Sequence, residues 1–215
     1  MYLSRVRLDA ENRRTMIALS NPQKIHGAVE SAFPGERERN LWRIDELGGT
    51  PYLLILSHER ADFTDVVRQF GYDGDSYETK SYDGLLARVQ PESRWWFRLT
   101  ANPTKCFKAP TDPSPRGKIG ALISVAQQEQ WLAERAAGCG FRVKPGEFRV
   151  THSRSYAFKK TGKRAVALLS VTFDGILTVA DPELFRKALV SGIGRGKAYG
   201  NGLLTITRTE ECANG

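Results

Sequence analysis

The sequence has little of the chemistry that builds disulfide frameworks or metal centres. Its 215 residues contain three cysteines, at positions 106, 139 and 212, and three histidines, at positions 26, 58 and 152. The cysteines are odd in number and far apart, and none forms a Cys-x-x-Cys pair. This inventory argues against both a disulfide-stapled fold and a structural zinc site. We therefore expect a chain that needs neither a metal ion nor another cofactor.

Long apolar runs are missing, and acidic residues are in the minority. No run approaches the roughly 20 apolar residues that cross a bilayer, and the opening segment MYLSRVRLDAENRR lacks the apolar stretch of a signal peptide. We therefore expect a cytoplasmic protein with no membrane partner. Lys and Arg outnumber Asp and Glu by 32 to 24, which leaves a net charge of +8. That balance is typical of a protein that binds nucleic acid, although it also fits cations that only keep the chain soluble.

The N-terminal half has the predicted order strand, helix, strand, strand, helix, strand. The first helix begins at Asn21-Pro22, because Asn is a good N-cap and proline suits the first helical position. The two middle strands flank the turn Gly48–Pro51 and form a hairpin. In chain order, these elements are expected at Tyr2–Leu8, from Asn21 onward, at Leu41–Leu47, Tyr52–Ser57 and Asp62–Phe70, and within Leu85–Val89.

The C-terminal half repeats the same order, with a long proline-rich loop over Pro103–Gly120 between its first strand and its first helix. Its helices begin at Ser124, where Gln127 completes a capping box, and at Asp181-Pro182. Its strands are expected at Trp95–Thr100, Glu147–Phe158, Arg164–Phe173 and Leu203–Thr207. The sequence thus predicts an α+β protein made of two tandem ferredoxin-like (RRM-like) βαββαβ domains, residues 1–90 and 91–215. This fold supports many functions, so the function must be argued from the residues it carries.

The most unusual stretch is Gly192–Gly202, with five glycines in eleven residues. It follows a helix and lacks the spacing of a dinucleotide-binding or Walker loop. Two interpretations stay open at this point. The exposed N–H groups around Gly194 and Gly196, together with Arg195 and Lys197, could cradle a phosphate. Alternatively, the glycines allow a tight turn to pack closely against a neighbouring domain.

Two further features suggest chemistry on RNA. A predicted hairpin tip carries four cations that could follow phosphates along a stem, or could simply be solvated: Lys159, Lys160, Lys163 and Arg164. His26 lies near the start of the first helix, and an imidazole there can exchange protons near neutral pH, as cleavage of RNA by its own 2′-hydroxyl requires. A lone surface histidine without a task is the competing interpretation. The carboxylates are scattered along the chain, which disfavours a two-metal nuclease.

Several stretches together are similar to one known family. They are MYLSRVRL at the start, Ile25-His26 leading to Phe33-Pro34, Phe97–Lys105 (FRLTANPTK), Phe173–Val179 and Gly192–Leu204. They resemble CasE, the CRISPR repeat-processing endoribonucleases of the type I-E Cascade system. The resemblance implies two ferredoxin-like domains and metal-independent cleavage at the base of the CRISPR repeat RNA hairpin, giving a 2′,3′-cyclic phosphate. It also implies that the protein stays on the 3′ hairpin alongside the other Cascade protein subunits.

The resemblance also assigns roles to individual residues. His26 matches the family's catalytic histidine, but Gln23 stands where the family commonly has a tyrosine. An amide can orient a hydroxyl or phosphate but is too weak a base to accept a proton usefully, so Lys24 is the nearest residue that could help. The hairpin over Lys159–Arg164, with Arg154 upstream, matches the region that the family inserts into the groove of the RNA stem. The segment Gly194–Lys197 lies where the family packs its domains together and approaches the RNA backbone.

The replacement at position 23 keeps a rival interpretation open. In that interpretation the chain has lost its chemistry and is a non-catalytic RNA-hairpin-binding subunit of a ribonucleoprotein complex. A third possibility is a basic ferredoxin-like protein that assembles with other proteins and does not contact RNA.

Overall fold

The computed structural model describes residues 1–35, 38–107, 117–159 and 165–209. The N-terminal half contains four strands and four helices. They are β1 (Tyr2–Arg7), α1 (Arg13–Ser20), α2 (Pro22–Ser31), β2 (Leu41–Leu47), β3 (Thr50–Ser57), α3 (Thr64–Phe70), β4 (Tyr77–Ser81) and α4 (Asp83–Leu86). The strands form one antiparallel sheet in the order β2-β3-β1-β4. This is the strand order of a ferredoxin-like unit.

Two features of this half differ from the sequence-based expectation. The last strand is β4, Tyr77–Ser81, and the strand expected within Leu85–Val89 is wrong, because Asp83–Leu86 is a short helix. The chain also forms α1, which the sequence analysis did not predict. Only Thr15 and Ala18 of α1 are buried, so its apolar stripe is too narrow to be recognised. The turn between β2 and β3 shortens to Gly48-Gly49, both with positive φ, as a two-residue hairpin turn requires.

The C-terminal half has a larger sheet and a small separate hairpin. Its elements are β5 (Arg94–Ala101), β6 (Thr104–Phe107), β7 (Lys118–Ala121), α5 (Val125–Gly138), β8 (Phe141–Arg142), β9 (Phe148–Lys159), β10 (Ala165–Val179), α6 (Pro182–Ser191) and β11 (Leu204–Arg208). The large sheet runs β11-β5-β10, and β8 and β9 both pair with β10 on its other side. Part of the expected loop Pro103–Gly120 is the β6-β7 hairpin. The fold class predicted from the sequence is confirmed.

Each half has its own apolar core, and the larger core reaches across to the other half. Val6, Ile25, Val29, Leu53 and Phe63 belong to the core under the first sheet. The second core, built around β5, β10 and α5, also includes Leu41, Leu56 and Tyr82 from the N-terminal half. The contact region between the two halves, called the seam below, is therefore a packed interface. No described helix combines the length and the apolar character that a membrane crossing requires.

Arg43 on β2 fastens the seam with all five of its N–H donors. Its guanidinium binds both carboxylate oxygens of Asp45, at 2.7 and 2.6 Å. It also donates to three groups of the C-terminal half, at 2.7 to 2.9 Å: the carbonyl oxygens of Arg98 and Leu203 and the hydroxyl of Thr205. The Arg43 side chain is only 2% exposed, so this buried charge is fully paired. It fixes how the two halves meet.

Candidate active site at the seam

Helix α2 carries the candidate catalytic histidine towards the seam. Asn21 caps the helix by accepting a hydrogen bond from the backbone N–H of Gln23, and Pro22 occupies the first turn. Ile25 and Val29 bury one face of the helix in the first core. His26 is thereby left on the flank, where its side chain is 20% exposed and its Nδ1 lies 4.0 Å from a carboxylate oxygen of Glu30. An imidazole in this setting is held in place and still accessible to a substrate.

The ring of Tyr199 packs against His26 from the other half of the chain. The two ring centroids are 6.2 Å apart and the planes are at 70°, an edge-to-face arrangement. Tyr199 ends a short 3-10 helix, Lys197–Tyr199, in the middle of the glycine-rich stretch. On its other side Tyr199 meets Phe158 of β9, with centroids 5.0 Å apart. The glycine-rich stretch therefore brings an aromatic side chain to His26.

Two glycines make this placement possible. Gly196 and Gly200 flank the 3-10 helix, and both adopt the left-handed conformation, with φ of 80° and 77°. A Cβ atom on Gly200 would lie 2.7 Å from the indole of Trp42 on β2. The stretch thus packs against the neighbouring half, as the second interpretation of the sequence anticipated.

Lys24 points away from the contact between His26 and Tyr199, whereas Gln23, three residues before His26, lies within about 60° of it around the helix. Lys24 is exposed and lies about 200° around the helix from His26, since each residue turns an α-helix by about 100°. Gln23 and Lys24 both line a shallow pocket with Arg14 of α1 and Gln69 of α3. The side-chain oxygen of Gln23 is buried there without a hydrogen-bond partner among the described residues. The structure thus does not bring these two side chains together with Tyr199.

The candidate phosphate ligands of the glycine-rich stretch differ in their availability. Lys197 donates a 2.6 Å hydrogen bond to the carbonyl oxygen of Ser191, and burial lowers the pKa of its ammonium group, as does the nearby Arg39. Arg195 is exposed, and its backbone pairs with Asn102 in an isolated bridge. Gly194 has a φ of 80° and faces the indole of Trp131. Of the two cations, Arg195 is the better placed to reach a ligand.

A cleft of about 530 Å³ opens beside Tyr199, between β2 and the open face of the second sheet. Arg154 of β9 lines it, and its guanidinium stacks over the ring of Tyr156 at 4.9 Å. Lys159 ends β9, while its side chain and the other predicted hairpin cations, Lys160, Lys163 and Arg164, lie outside the described residues. The described part of the basic hairpin thus begins next to the candidate site.

An ion pair on the floor of the cleft shapes its electrostatics. Arg98 donates to both carboxylate oxygens of Asp174, at 2.6 and 3.0 Å, and Thr151 donates to one of them at 2.7 Å. Burial alone would raise the pKa of Asp174, but these hydrogen bonds and the charge of Arg98 lower it overall. Asp174 is therefore held as a carboxylate that neutralises Arg98. Among the residues that the structure describes, Arg154 has no such acidic partner.

The described residues contain no group of three or more His, Cys, Asp or Glu side chains that could hold a metal ion. What the site does offer is an accessible imidazole, an aromatic neighbour from the other half and a cation-bearing strand. These are the parts needed for proton transfer on a bound polyanion.

Comparison with known proteins assigns the chain to a family. The model of the CRISPR-associated protein family matches residues 1–208. The chain is 33% identical to the CRISPR-associated endoribonuclease Cse3 of Thermus thermophilus, in an alignment that covers 96% of this chain and 99% of that protein. The chain belongs to the Cse3 family. Cse3 is the CasE protein, so the family suggested by the sequence resemblance is confirmed.

Solved structures of the Cse3 family extend this likeness to three dimensions. Thermus thermophilus Cse3 bound to an RNA representing a pre-cleavage complex superposes with a TM-score of 0.76 at 29% identity, covering 96% of this chain and 98% of that one. A chain of a CRISPR RNA-guided surveillance complex in a pre-nicking state gives a TM-score of 0.68 at 26% identity, covering 97% of this chain and 100% of that one.

Sequence analysis missed two residues of this site. Tyr199 lies within the glycine-rich stretch that the sequence analysis singled out, but a contact between residues 26 and 199 has no local signal. Arg43 had a weak signal, because Arg43 and Asp45 are two residues apart on a strand and so share a face. That spacing could have suggested a buried ion pair.

Proposed function

We propose that this chain is an endoribonuclease that cleaves CRISPR repeat RNA at the base of its stem-loop to give mature crRNA. In this proposal it then stays on the 3′ hairpin as a protein subunit of Cascade. The observation that carries the proposal is the position of His26, accessible at the seam and in contact with Tyr199, whose ring also contacts Phe158 of β9. The similar Thermus thermophilus protein is a CRISPR-associated endoribonuclease, and a similar chain belongs to an RNA-guided surveillance complex.

The proposed reaction requires two proton transfers and uses the RNA's own nucleophile. A base removes the proton from the 2′-hydroxyl, and the resulting oxygen attacks the adjacent phosphorus. The bond from phosphorus to the 5′ oxygen then breaks, and an acid protonates that oxygen. The products are a 2′,3′-cyclic phosphate and a free 5′-hydroxyl. His26 can supply one of these transfers, because an imidazole gains and loses a proton near neutral pH.

Binding of the RNA stem is assigned to the C-terminal half. Arg154 and the cations at Lys159, Lys160, Lys163 and Arg164 would contact phosphates along the stem, with Arg195 nearer the cleaved bond. Contacts to a stem that survives cleavage explain why the product would stay bound. Because the substrate is a primary transcript, we expect the protein to act in the cytoplasm.

The decisive experiment incubates the purified protein with a repeat hairpin RNA in excess EDTA. We expect a single cut at the base of the stem, with a 2′,3′-cyclic phosphate on the upstream fragment. A matched RNA with one 2′-deoxynucleotide at the cut site should bind equally well and remain intact, because it lacks the nucleophile. Activity that disappears with EDTA and returns with magnesium would refute the metal-independent mechanism. If the protein binds a panel of repeat hairpins tightly but cuts none, the non-catalytic subunit is the correct interpretation.

A further inference from the structure

Proton transfer by His26 requires its side chain to have a defined orientation. An imidazole rotates about two bonds, and catalysis requires one of its nitrogens to face the reacting oxygen. Glu30 lies 4.0 Å away on the same helix, which is long for a hydrogen bond. Gln23 and Lys24 line the shallow pocket with Arg14 and Gln69. The ring of Tyr199 is the described aromatic group that packs against the imidazole.

Three contacts restrict the position of Tyr199. Its backbone N–H donates a 2.8 Å hydrogen bond to the carbonyl oxygen of Gly196, which closes the 3-10 turn. Gly200, the next residue, packs on Trp42 so closely that no side chain fits there. Phe158 contacts the Tyr199 ring in a second edge-to-face pair and is itself 8% exposed. A ring this constrained can constrain its neighbour in turn.

The three rings form a continuous path from the RNA-binding strand to the histidine. Phe158 immediately precedes Lys159, where β9 ends and the basic hairpin begins. Tyr199 connects Phe158 to His26, and these two contacts join the C-terminal half to the N-terminal half. Tyr199 thus contacts both the imidazole and the strand β9 that ends at Lys159.

We propose that Tyr199 is a positioning residue of His26, and that contact with its ring helps to set the orientation of the imidazole for proton transfer. This inference rests on the proposed function of His26. Loss of the ring should lower the single-turnover cleavage rate by about 10-fold to 100-fold, the range expected when a catalytic group is slightly misplaced. Tyr199→Phe keeps the ring and should cleave at nearly the parental rate.

The kinetic test compares Tyr199→Leu, Tyr199→Phe and the control Tyr72→Leu. The control removes a partly buried tyrosine whose ring lies under Arg7 of β1. We expect Tyr199→Leu alone to be slow, with an unchanged affinity for the hairpin. In the His26→Ala background, Tyr199→Leu should have no further effect, because a positioning residue acts only through the group it positions. Equal slowing with and without His26 would overturn the proposal. So would a parental rate for Tyr199→Leu in a protein whose own cleavage depends on His26.

A second test needs no cleavage and separates this inference from the proposed function. In the NMR spectrum of the free protein, the imidazole protons of His26, assigned by their loss in His26→Ala, should show nuclear Overhauser contacts to the Tyr199 ring. Their chemical shifts should move in Tyr199→Leu but not in Tyr72→Leu. If Tyr199→Leu fails to fold, Tyr199→Met replaces it, because an unbranched, adaptable side chain fills an irregular gap better and also lacks the ring. Absence of these contacts in the parent would overturn the inference even if the RNA is cut.

Discussion

Helices α2 and α6 begin with the same local device and carry different tasks. An Asx residue followed by proline starts each helix, Asn21-Pro22 in one and Asp181-Pro182 in the other. In α2 the fifth residue is His26, which meets Tyr199 across the seam. In α6 the fifth residue is Arg186.

Arg186 also crosses the seam, but it makes only structural contacts. Its guanidinium donates to the carbonyl oxygens of Leu86 and Val89, at 3.0 and 2.6 Å, where the N-terminal half ends. The comparison shows that the N-cap and proline set the position of the fifth residue on the helix surface. The group that this side chain contacts across the seam then determines its role. Opposite Arg186 are backbone oxygens that a cation saturates. Opposite His26 is the aromatic ring of Tyr199, which meets the imidazole edge to face.

The largest expected effect would test that contrast directly. His26→Ala should lower the single-turnover cleavage rate by about 10²-fold to 10⁴-fold, the usual contribution of a positioned general acid or base, while hairpin affinity stays the same. Arg186→Ala should cost about 1–3 kcal/mol of unfolding free energy, because it removes charge-assisted hydrogen bonds, with a much smaller change in rate. Gln23→Ala is the control on α2 and should lose far less activity than His26→Ala. Quench-flow cleavage and urea unfolding would measure the two quantities. Equal rates for His26→Ala and the parent would remove the distinction between the helices.

The next largest effect concerns the buried pair that fastens the seam. Arg43→Met leaves the Asp45 carboxylate buried without its counter-ion, which typically costs about 3–5 kcal/mol. The double variant Arg43→Met/Asp45→Leu removes both charges and should recover a large part of that loss. Urea denaturation of the parent and both variants gives the values. If Arg43→Met is as stable as the parent, the two halves are held together by apolar packing alone.

Removing the hairpin cations should weaken RNA binding and leave the cleavage rate nearly unchanged, which is the reverse of the effect expected for His26→Ala. Replacing Lys159, Lys160, Lys163 and Arg164 by alanine should weaken hairpin binding and flatten its salt dependence, by roughly one unit of slope or slightly less for each lost phosphate contact. Cleavage at saturating protein should change little, because the proton-transfer group remains. Filter binding between low and moderate salt measures the slope. Unchanged affinity at both salt concentrations would show that these cations are only solvated.

The smallest expected effect is a change of stability with pH. The pKa of Asp174 is lowered in the folded protein, so its pairing with Arg98 and Thr151 stabilises the fold above the unfolded pKa of an aspartate, about 3.9. That contribution is lost as the pH falls below this value and through the lower folded pKa. Asp174→Asn should therefore show a shallower loss of unfolding free energy below about pH 4. The two proteins should have parallel profiles between pH 6 and pH 8, and a divergence there would contradict the assignment.

Local signals in the sequence predicted the elements whose ends carry their own hydrogen bonds. The caps at Asn21, Ser124 and Asp181 all form, because each side chain bonds a backbone N–H only two or three residues away. The strand β4 escaped prediction, since its residues Tyr77–Ser81 are mostly polar and partly exposed. A strand was predicted instead around the apolar residues Leu85 and Leu86. Both are apolar because they pack against the core of the other half.

The sequence identified individual residues of the candidate site but not the contact between them. His26 and the glycine-rich stretch were found because each occupies a recognisable motif. Their contact was not, since nothing within a few residues of His26 or Tyr199 encodes a meeting over more than 170 positions. Tertiary packing of Gly200 on Trp42 creates that contact, and no local propensity reports it.

The buried guanidinium of Arg43 has a consequence for how such proteins can diverge. Its partners include two carbonyl oxygens and a hydroxyl contributed by the other half, so its geometry depends on β5 and β11 holding their register. Two of these partners are backbone oxygens, so a chimera that joins residues 1–90 of one relative to the remainder of another needs the same strand register more than the same side chains. A junction that shifts β5 or β11 should leave the buried charge incompletely paired and destabilise the fold.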